Sequence, residues 1–592
     1  MMKLSRRDFI KISTIAACSL VISTGLSGCS DINNLTNVNF LHGVASGDPL
    51  NDKVIIWTRL TPDKSLDELK LAYEVSKSSS FSKLTHSGTL ITKKTEDYTV
   101  KIDLQNLEEN TIYYYRFKSN EKTSIIGKTK TLALNPSSVK FAIFSCANYT
   151  NGYFNAYKDV STLSDVDVVL HLGDYIYEYG MYDNDDGITP AYATQDAEAI
   201  GRTLPEDNNT ELLVLDDYRK RYALYHTDEG SLSMHQNLPF ISVWDDHEVA
   251  NDSYISGAEN HDDTEGDYET RKLAALQAYF EWIPIRPFEV DNDEIIYRSF
   301  DFGSLVSLHM LDTRIIGRDI QLNYSDYFDS LGNFDQSTFT SDMIDSSRTM
   351  LGTEQLTWLQ TKLGTSNATW QVLGQQVLMG KMFLPAELLT LIVQLNANLT
   401  DTQKIAVLTQ LNTVLTELVT IKTRILMGDT SVTALEEARL TTTLPYNLDA
   451  WDGYAYEREV LYTTINTLGK NVVVLAGDTH NSWANELKDS SGNSIAVEFA
   501  TTSVSSPGME DYVGLSDLTT TMQFEAAITL LIDDLKYTNL NQRGYMLVNF
   551  TADEVVATWS YLDNTASTTY SLDNTRTKQL KSLLGSKSII AV

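Results

Sequence analysis

Along residues 39–134 apolar and polar positions alternate in short runs separated by turns: "KVIIWTRL", "LKLAYEVSKS", "YTVKIDL" and "TIYYYRFKS". Period-two alternation in runs of this length predicts strands, and their even spacing predicts a small all-β sandwich. Past Asn135-Pro136-Ser137-Ser138 the pattern changes. Continuous apolar runs now alternate with helical patterns: "VKFAIFSCA", "VDVVLHLGD", "LPFISVWDDHE", "GSLVSLHMLDTR", "TWQVLGQQVL" and "NVVVLAGDTH". Strands alternating with helices predict a layered α/β domain over 138–565, with much of its sheet buried. Residues 384–426 differ again and read as two helices, with Asp401 as a cap and Leu408, Leu411, Leu415 and Leu418 at near-heptad spacing. That segment is expected as a helical insertion packed on the domain surface. "RGYMLVNFTADEVVATWSYLD" predicts a β-hairpin, and residues 566–592 a C-terminal tail.

The N-terminus follows neither pattern. Lys3, Arg6, Arg7 and Lys11 precede a mostly apolar stretch, Ile15 to Leu26, too short and too weakly flanked for a membrane span. "SRRDFIK" resembles the twin-arginine export signal, and Leu26-Ser27-Gly28-Cys29 resembles a bacterial lipobox. Residues 1–28 are therefore expected to be a signal peptide and 29–38 a polar tether. A lipid on Cys29 would hold the protein at a membrane surface. The expected localisation is periplasmic or cell-surface, or release to the medium, after passage through the twin-arginine machinery.

Of three cysteines, Cys18 falls in the signal and Cys29 at its end, which leaves Cys146 without a partner. A lone cysteine is a small buried hydrophobe or a reactive or metal-bound thiolate. Charge narrows the function classes. The chain carries 46 basic and 79 acidic residues, a formal net charge of −33. Such a surface repels a nucleic acid backbone, so no nucleic acid partner is expected. A phosphate-handling site in so acidic a protein would need cations.

Four apolar runs end in groups able to bind them. These are Cys146; Asp174 and Tyr177 in "HLGDYIYEYG"; Asp245, Asp246, His247 and Asn251 in "VWDDHEVANDS"; and Asp478 and His480 in "LAGDTHNSW". Singly, Gly-Asp is a common turn and Asp-Asp-His a solvated loop. Together they supply thiolate, phenolate and imidazole, which suit iron or zinc, beside carboxylate and amide oxygen, which suit calcium, magnesium or manganese.

"GDY", "DDHE" and "GDTH" resemble the successive metal motifs of calcineurin-like metallophosphoesterases. The longer stretches "FLHGVASGDPLNDKVIIWTRLTP", "SCANY", "WDGYAYERE" and "VEFATTSVSSPG" are similar to the PhoD-type alkaline phosphatases. The resemblance spans about 40–560 apart from the helical insertion. It implies a four-layer αββα catalytic domain behind a fibronectin- or immunoglobulin-like sandwich, hydrolysing phosphoesters at an iron–calcium centre. Carried across, Cys146, Asp174, Tyr177 and His480 correspond to iron ligands. Asp174 would bridge to calcium, with Asp245, Asp246, Asn251 and Asp478 as candidates on the calcium side. His247 stands where related enzymes keep a catalytic histidine, and Arg314 in "LDTR" is a phosphate clamp or a structural ion pair. The implied substrates are phosphomonoesters and phosphodiesters, for phosphate acquisition, and a monomer is expected. Two other readings stay open: a phosphodiesterase or phospholipase-type hydrolase using the same site, and a non-catalytic lipoprotein that binds phosphate.

Overall fold

The computed structural model describes residues 36–183, 189–286, 294–329, 334–395, 399–515 and 517–592. The signal, the lipobox and most of the tether lie outside the described residues. Two large sheets face each other. One has ten strands and carries, side by side, Gly544–Phe550, Val139–Phe144, Val168–His171, Pro239–Ser242 and Val44–Gly47. The other has seven, among them Val306–Met310, Trp370–Gly374, Val472–Ala476 and Ser494–Ala500, mutually parallel. The central runs are Val-, Ile- and Leu-rich because both faces of each strand are covered, and Val168–His171 and Val472–Ala476 are buried at every position.

Phe141, Ile143, Phe300, Val306, Leu308 and Leu475 belong to one core shared by the two sheets. Helices close both outer faces. Leu215–Tyr225, Glu229–Asn237 and Tyr268–Trp282 belong with the first sheet, and Gly352–Thr365 and Ala455–Leu468 with the second. The result is the expected helix–sheet–sheet–helix layering behind an all-β N-terminal domain. Each fully buried Val, Leu, Ile or Phe is worth about 1.5–3 kcal/mol, so the shared core dominates cohesion.

The N-terminal domain is less separate than its sequence implies. One of its sheets, Glu68–Ser76, His86–Lys93, Ile112–Ser119 and Gly127–Lys130, stands alone. Its facing strands, Val44–Gly47, Val54–Arg59 and Thr99–Leu104, are the edge of the ten-stranded sheet, with Phe240 paired to Gly47. Alternation along a strand reports which face is buried, and carries nothing about which strand lies alongside. A buried pair, Arg298 to Asp48 at 2.7 Å, and the bond from Trp57 Nε1 to the Glu281 carbonyl cross the same boundary. The segment "LQNLEENTIYYYRF" forms a tyrosine corner, with the Glu108 amide donating to the Tyr113 hydroxyl at 2.9 Å.

Two further expectations change. Residues 566–592 are no free tail: Lys578–Leu583 and Ile590–Ala591 add the last two strands to the ten-stranded sheet. The insertion is longer than 384–426. Short paired strands Phe383–Pro385 and Thr443–Pro445 close its base around the helices Ala386–Leu395, Asp401–Leu426 and Ala434–Thr441. Thr400, not Asp401, caps the long helix, in a reciprocal capping box with Gln403, because a cap must precede the first helical residue. Leu411, Leu415 and Leu418 are buried, and Leu408 is partly buried.

Candidate metal centre

Each strand-end loop is bent by a backbone that side chains rarely adopt. Cys146, Asp174, Asp478 and His480 have φ of 59°, 54°, 64° and 61°. Four such residues in one place mark a site whose surroundings hold the strain. Gly173 makes the close approach possible. At φ +107° it faces the Asp245 loop, and a Cβ on it would lie 2.3 Å from the Asp245 Cβ.

Those loops bring the distant motifs together. Cys146, Asp174 and His480 present ligand atoms within 4.8 Å of one another, and so do Asp174, Asp246 and His247. Asp174 belongs to both groups. The Tyr177 hydroxyl joins the first, donating to Asp174 Oδ2 at 3.2 Å and lying 3.1 Å from His480 Nε2. His480 Nδ1 donates to the Pro507 carbonyl at 2.5 Å, which leaves the Nε2 lone pair turned to the cluster. Burial holds the His480 imidazole neutral, its pKa lowered to about 3.

The other predicted residues divide. Arg314 is fully buried and takes Asp245 at 2.5 Å, Asp449 at 2.6 Å and Asp478 at 3.0 Å. In this geometry it is the centre of ion pairs, each guanidinium nitrogen facing a carboxylate. Asp245 and Asp478 are thereby drawn toward Arg314. Asn251 sits at the rim, its amide nitrogen donating to Glu259 at 3.1 Å. Burial raises the Asp246 carboxyl, but Arg314 and His247 outweigh it and hold it below its ordinary range.

Several contributors were not among the residues predicted from the sequence. Glu178 is fully buried. It bonds His247 Nδ1 at 2.7 Å through Oε2, and accepts the Asn251 amide at 2.7 Å and Asn260 Nδ2 at 2.8 Å through Oε1. Burial opposes a charged His247, yet Glu178, Asp246 and Asp174 raise its pKa well above the ordinary value. The ring rests on Tyr177 with centroids 4.1 Å apart. Glu248 clamps two loops at once, accepting the amides of Asp174 at 3.0 Å, Tyr175 at 2.5 Å and Asp245 at 2.6 Å. Tyr192 stacks on Tyr177 and reaches His480 Nδ1 at 3.2 Å. Glu178 and Glu248 stand inside motifs already singled out, so nearness to a candidate ligand was their only signal; Tyr192 and Asp449 had none.

The donor set fits cations. Asp174 Oδ1, Asp245 Oδ2 and Ser145 Oγ are buried with no hydrogen-bond partner. Burial and then Asp174 push the Cys146 thiol up, and burial, with Asp245 and Asp246 nearby, pushes Asp174 up against the pull of His247. Buried acids with unmet lone pairs, beside a neutral imidazole nitrogen, are satisfied together by positive charge.

Two packed sheets with acid, thiol and imidazole groups at their strand ends define a layered α/β protein with a candidate metal centre. The family model of PhoD-like phosphatases matches residues 141–559, and that of their N-terminal domain matches residues 27–133. The chain belongs to the PhoD-like phosphatase family. It is 34% identical over 527 residues to alkaline phosphatase D of Bacillus subtilis (strain 168), covering 85% of this chain and 76% of the relative. The solved structure of PhoD superposes with a TM-score of 0.71 at 28% identity, covering 96% of this chain and 93% of that one.

Proposed function

We propose that the chain is an exported alkaline phosphatase D-like hydrolase that releases phosphate from phosphomonoesters and phosphodiesters at an iron–calcium centre, for phosphate acquisition. The observation that carries this reading is the pair of ligand groups that share Asp174. Cys146, Tyr177 and His480 would hold iron with Asp174; Asp246, Asn251 and the free oxygen of Asp245 would serve calcium, with Asp478 shared between it and Arg314. Bound there, the cations would hold the phosphoryl oxygens and raise the acidity of the attacking water. His247 has one nitrogen on Glu178, so its Nε2 is free to give a proton to the leaving oxygen. Arg314 keeps three carboxylates in place and prevents their mutual repulsion from opening the loops.

Metal analysis, a visible spectrum and hydrolysis of mono- and diester model substrates test the proposal. Thiolate and phenolate on ferric iron give a coloured protein, and Cys146→Ser is expected to lose iron, colour and most activity. An iron-free, colourless and fully active wild type overturns the iron assignment. Release of phosphate from monoesters alone would remove the diester half of the reading. Export by the twin-arginine route predicts that the paired changes Arg6→Lys and Arg7→Lys retain the protein in the cytoplasm. Lipidation predicts that Cys29→Ala moves it from the membrane fraction to the soluble one.

A further inference from the structure

A groove of about 420 Å³ opens beside the candidate centre, and Asn251 lies in its wall. Its far side is built by Tyr446 to Asp449, the stretch that follows the base of the helical insertion, and Tyr324 ties the two sides by donating to the Pro445 carbonyl at 2.6 Å. Three carboxylates face this space, and among the described residues no lysine or arginine lines it. Asp449 is already neutralised by Arg314 and Arg318. Asp252 and Glu259 make no ion pair among the described residues: their hydrogen bonds come from neutral amides, Gln321 at 2.8 Å and Asn251 at 3.1 Å. Burial, with Asp449 and Asp246 nearby, raises the Asp252 carboxyl to about 7 against the pull of Arg314 and Arg318, so a cation in the groove would favour its charged form. Gln321 spends its nitrogen on Asp252 and leaves Oε1 buried with no partner. The groove is therefore acidic, and no positively charged side chain among the described residues lines it.

We propose that this groove is the leaving-group subsite and selects esters whose alcohol carries a primary ammonium group. The inference rests on the hydrolase reading above and names its substrate class. In the reaction water attacks phosphorus, the phosphorus–oxygen bond to the alcohol breaks, and that oxygen takes up a proton, so the amino alcohol departs along the groove as phosphate is released. Ammonium N–H groups meet the carboxylates, whereas an alcohol bearing a carboxylate or a second phosphate meets like charge. The insertion contributes by fixing the wall at Tyr446.

The test compares kcat/KM for phosphoethanolamine, glycerol 3-phosphate and 3-phosphoglycerate, whose leaving groups are cationic, neutral and anionic. The expected order is cationic, then neutral, then anionic. Glu259→Gln is expected to lower the ratio of phosphoethanolamine to glycerol 3-phosphate by roughly three- to tenfold, the range of one partly screened charge contact. The ratio is internal to each variant, so a general loss of activity does not mimic the effect. Equal rates for the three esters, or a ratio unmoved by Glu259→Gln, overturns the groove assignment while leaving the hydrolase reading intact. If no ester is cleaved, p-nitrophenyl phosphate included, the hydrolase reading falls and the groove assignment with it.

Discussion

Glu178 shows how much a single buried carboxylate can govern, because it holds the His247 ring and the Asn251 backbone together. Glu178→Gln keeps the shape and removes the charge that favours a protonated His247. The expected outcome is a fall in kcat of about 10- to 100-fold on alkyl phosphates, with a much smaller fall on 2,4-dinitrophenyl phosphate, whose leaving group needs no proton. A purely structural defect would lower both equally, so kcat across a leaving-group series decides. Gly173→Ala forces an L side chain into φ +107° against Asp245 and is expected to cost about 3 kcal/mol or more, read from denaturant unfolding. These residues also mark the limit of what the sequence could tell. Cys146, Asp174, Asp246 and His480 were legible because polar, ligand-type residues end apolar strands, a local signal. Arg314 was half legible: its residue type allowed two roles, and the carboxylates it pairs with, Asp245, Asp449 and Asp478, are far from it in sequence. Asp449 and Tyr192 come from loops with no strand-end pattern, and nothing local distinguishes them from solvated residues.

Among the elements, the helix Glu229–Asn237 is tied to the Asp174 loop by a buried histidine cluster. The Tyr175 hydroxyl lies 2.8 Å from His235 Nε2, 3.1 Å from Ser231 and 3.4 Å from His226 Nε2. Burial lowers His226 and His171 from 6.5 to about 3, and lowers His235 well below its ordinary value. These groups stay neutral when folded but take up protons in the unfolded chain. Their contribution to stability is therefore complete above about pH 6.5 and lost as pH falls toward 3. His226→Phe removes one such group, so the difference in Tm between wild type and variant is expected to shrink from pH 7.5 to pH 5 in thermal scans. The insertion makes a separate prediction. Excising residues 386–442 and joining the paired strands at its base is expected to leave metal content intact, as no candidate ligand lies inside it. The helix Leu518–Leu531 loses its cover from the long insertion helix, so Tm is expected to fall. Loss of metal on excision would show that the insertion supports the centre. Helix periodicity made the first two insertion helices readable but not Ala434–Thr441; the strands at the base are three residues each, too short to carry a period.

At the scale of the whole molecule, a net charge of −33 opposes compaction at low ionic strength. Raising salt from 0.05 to 1 M is expected to raise Tm, and a flat or falling Tm would mean that the surface ion pairs outweigh the repulsion. No helix among the described residues is long and apolar enough to cross a membrane. The mixed sheet carries a consequence of another kind, in time. The strand Val139–Phe144 pairs on one side with Val168–His171 and on the other with Gly544–Phe550, and the N-terminal strand Val44–Gly47 waits for Pro239–Ser242. A chain made from its N-terminus therefore cannot finish its first domain before its second has begun, nor the second before Gly544–Phe550 has left the ribosome. Contacts this distant in sequence make for slow closure and for a long interval with open sheet edges. An N-terminal fragment ending near residue 134 is expected to aggregate when expressed alone, its edge strands unpaired.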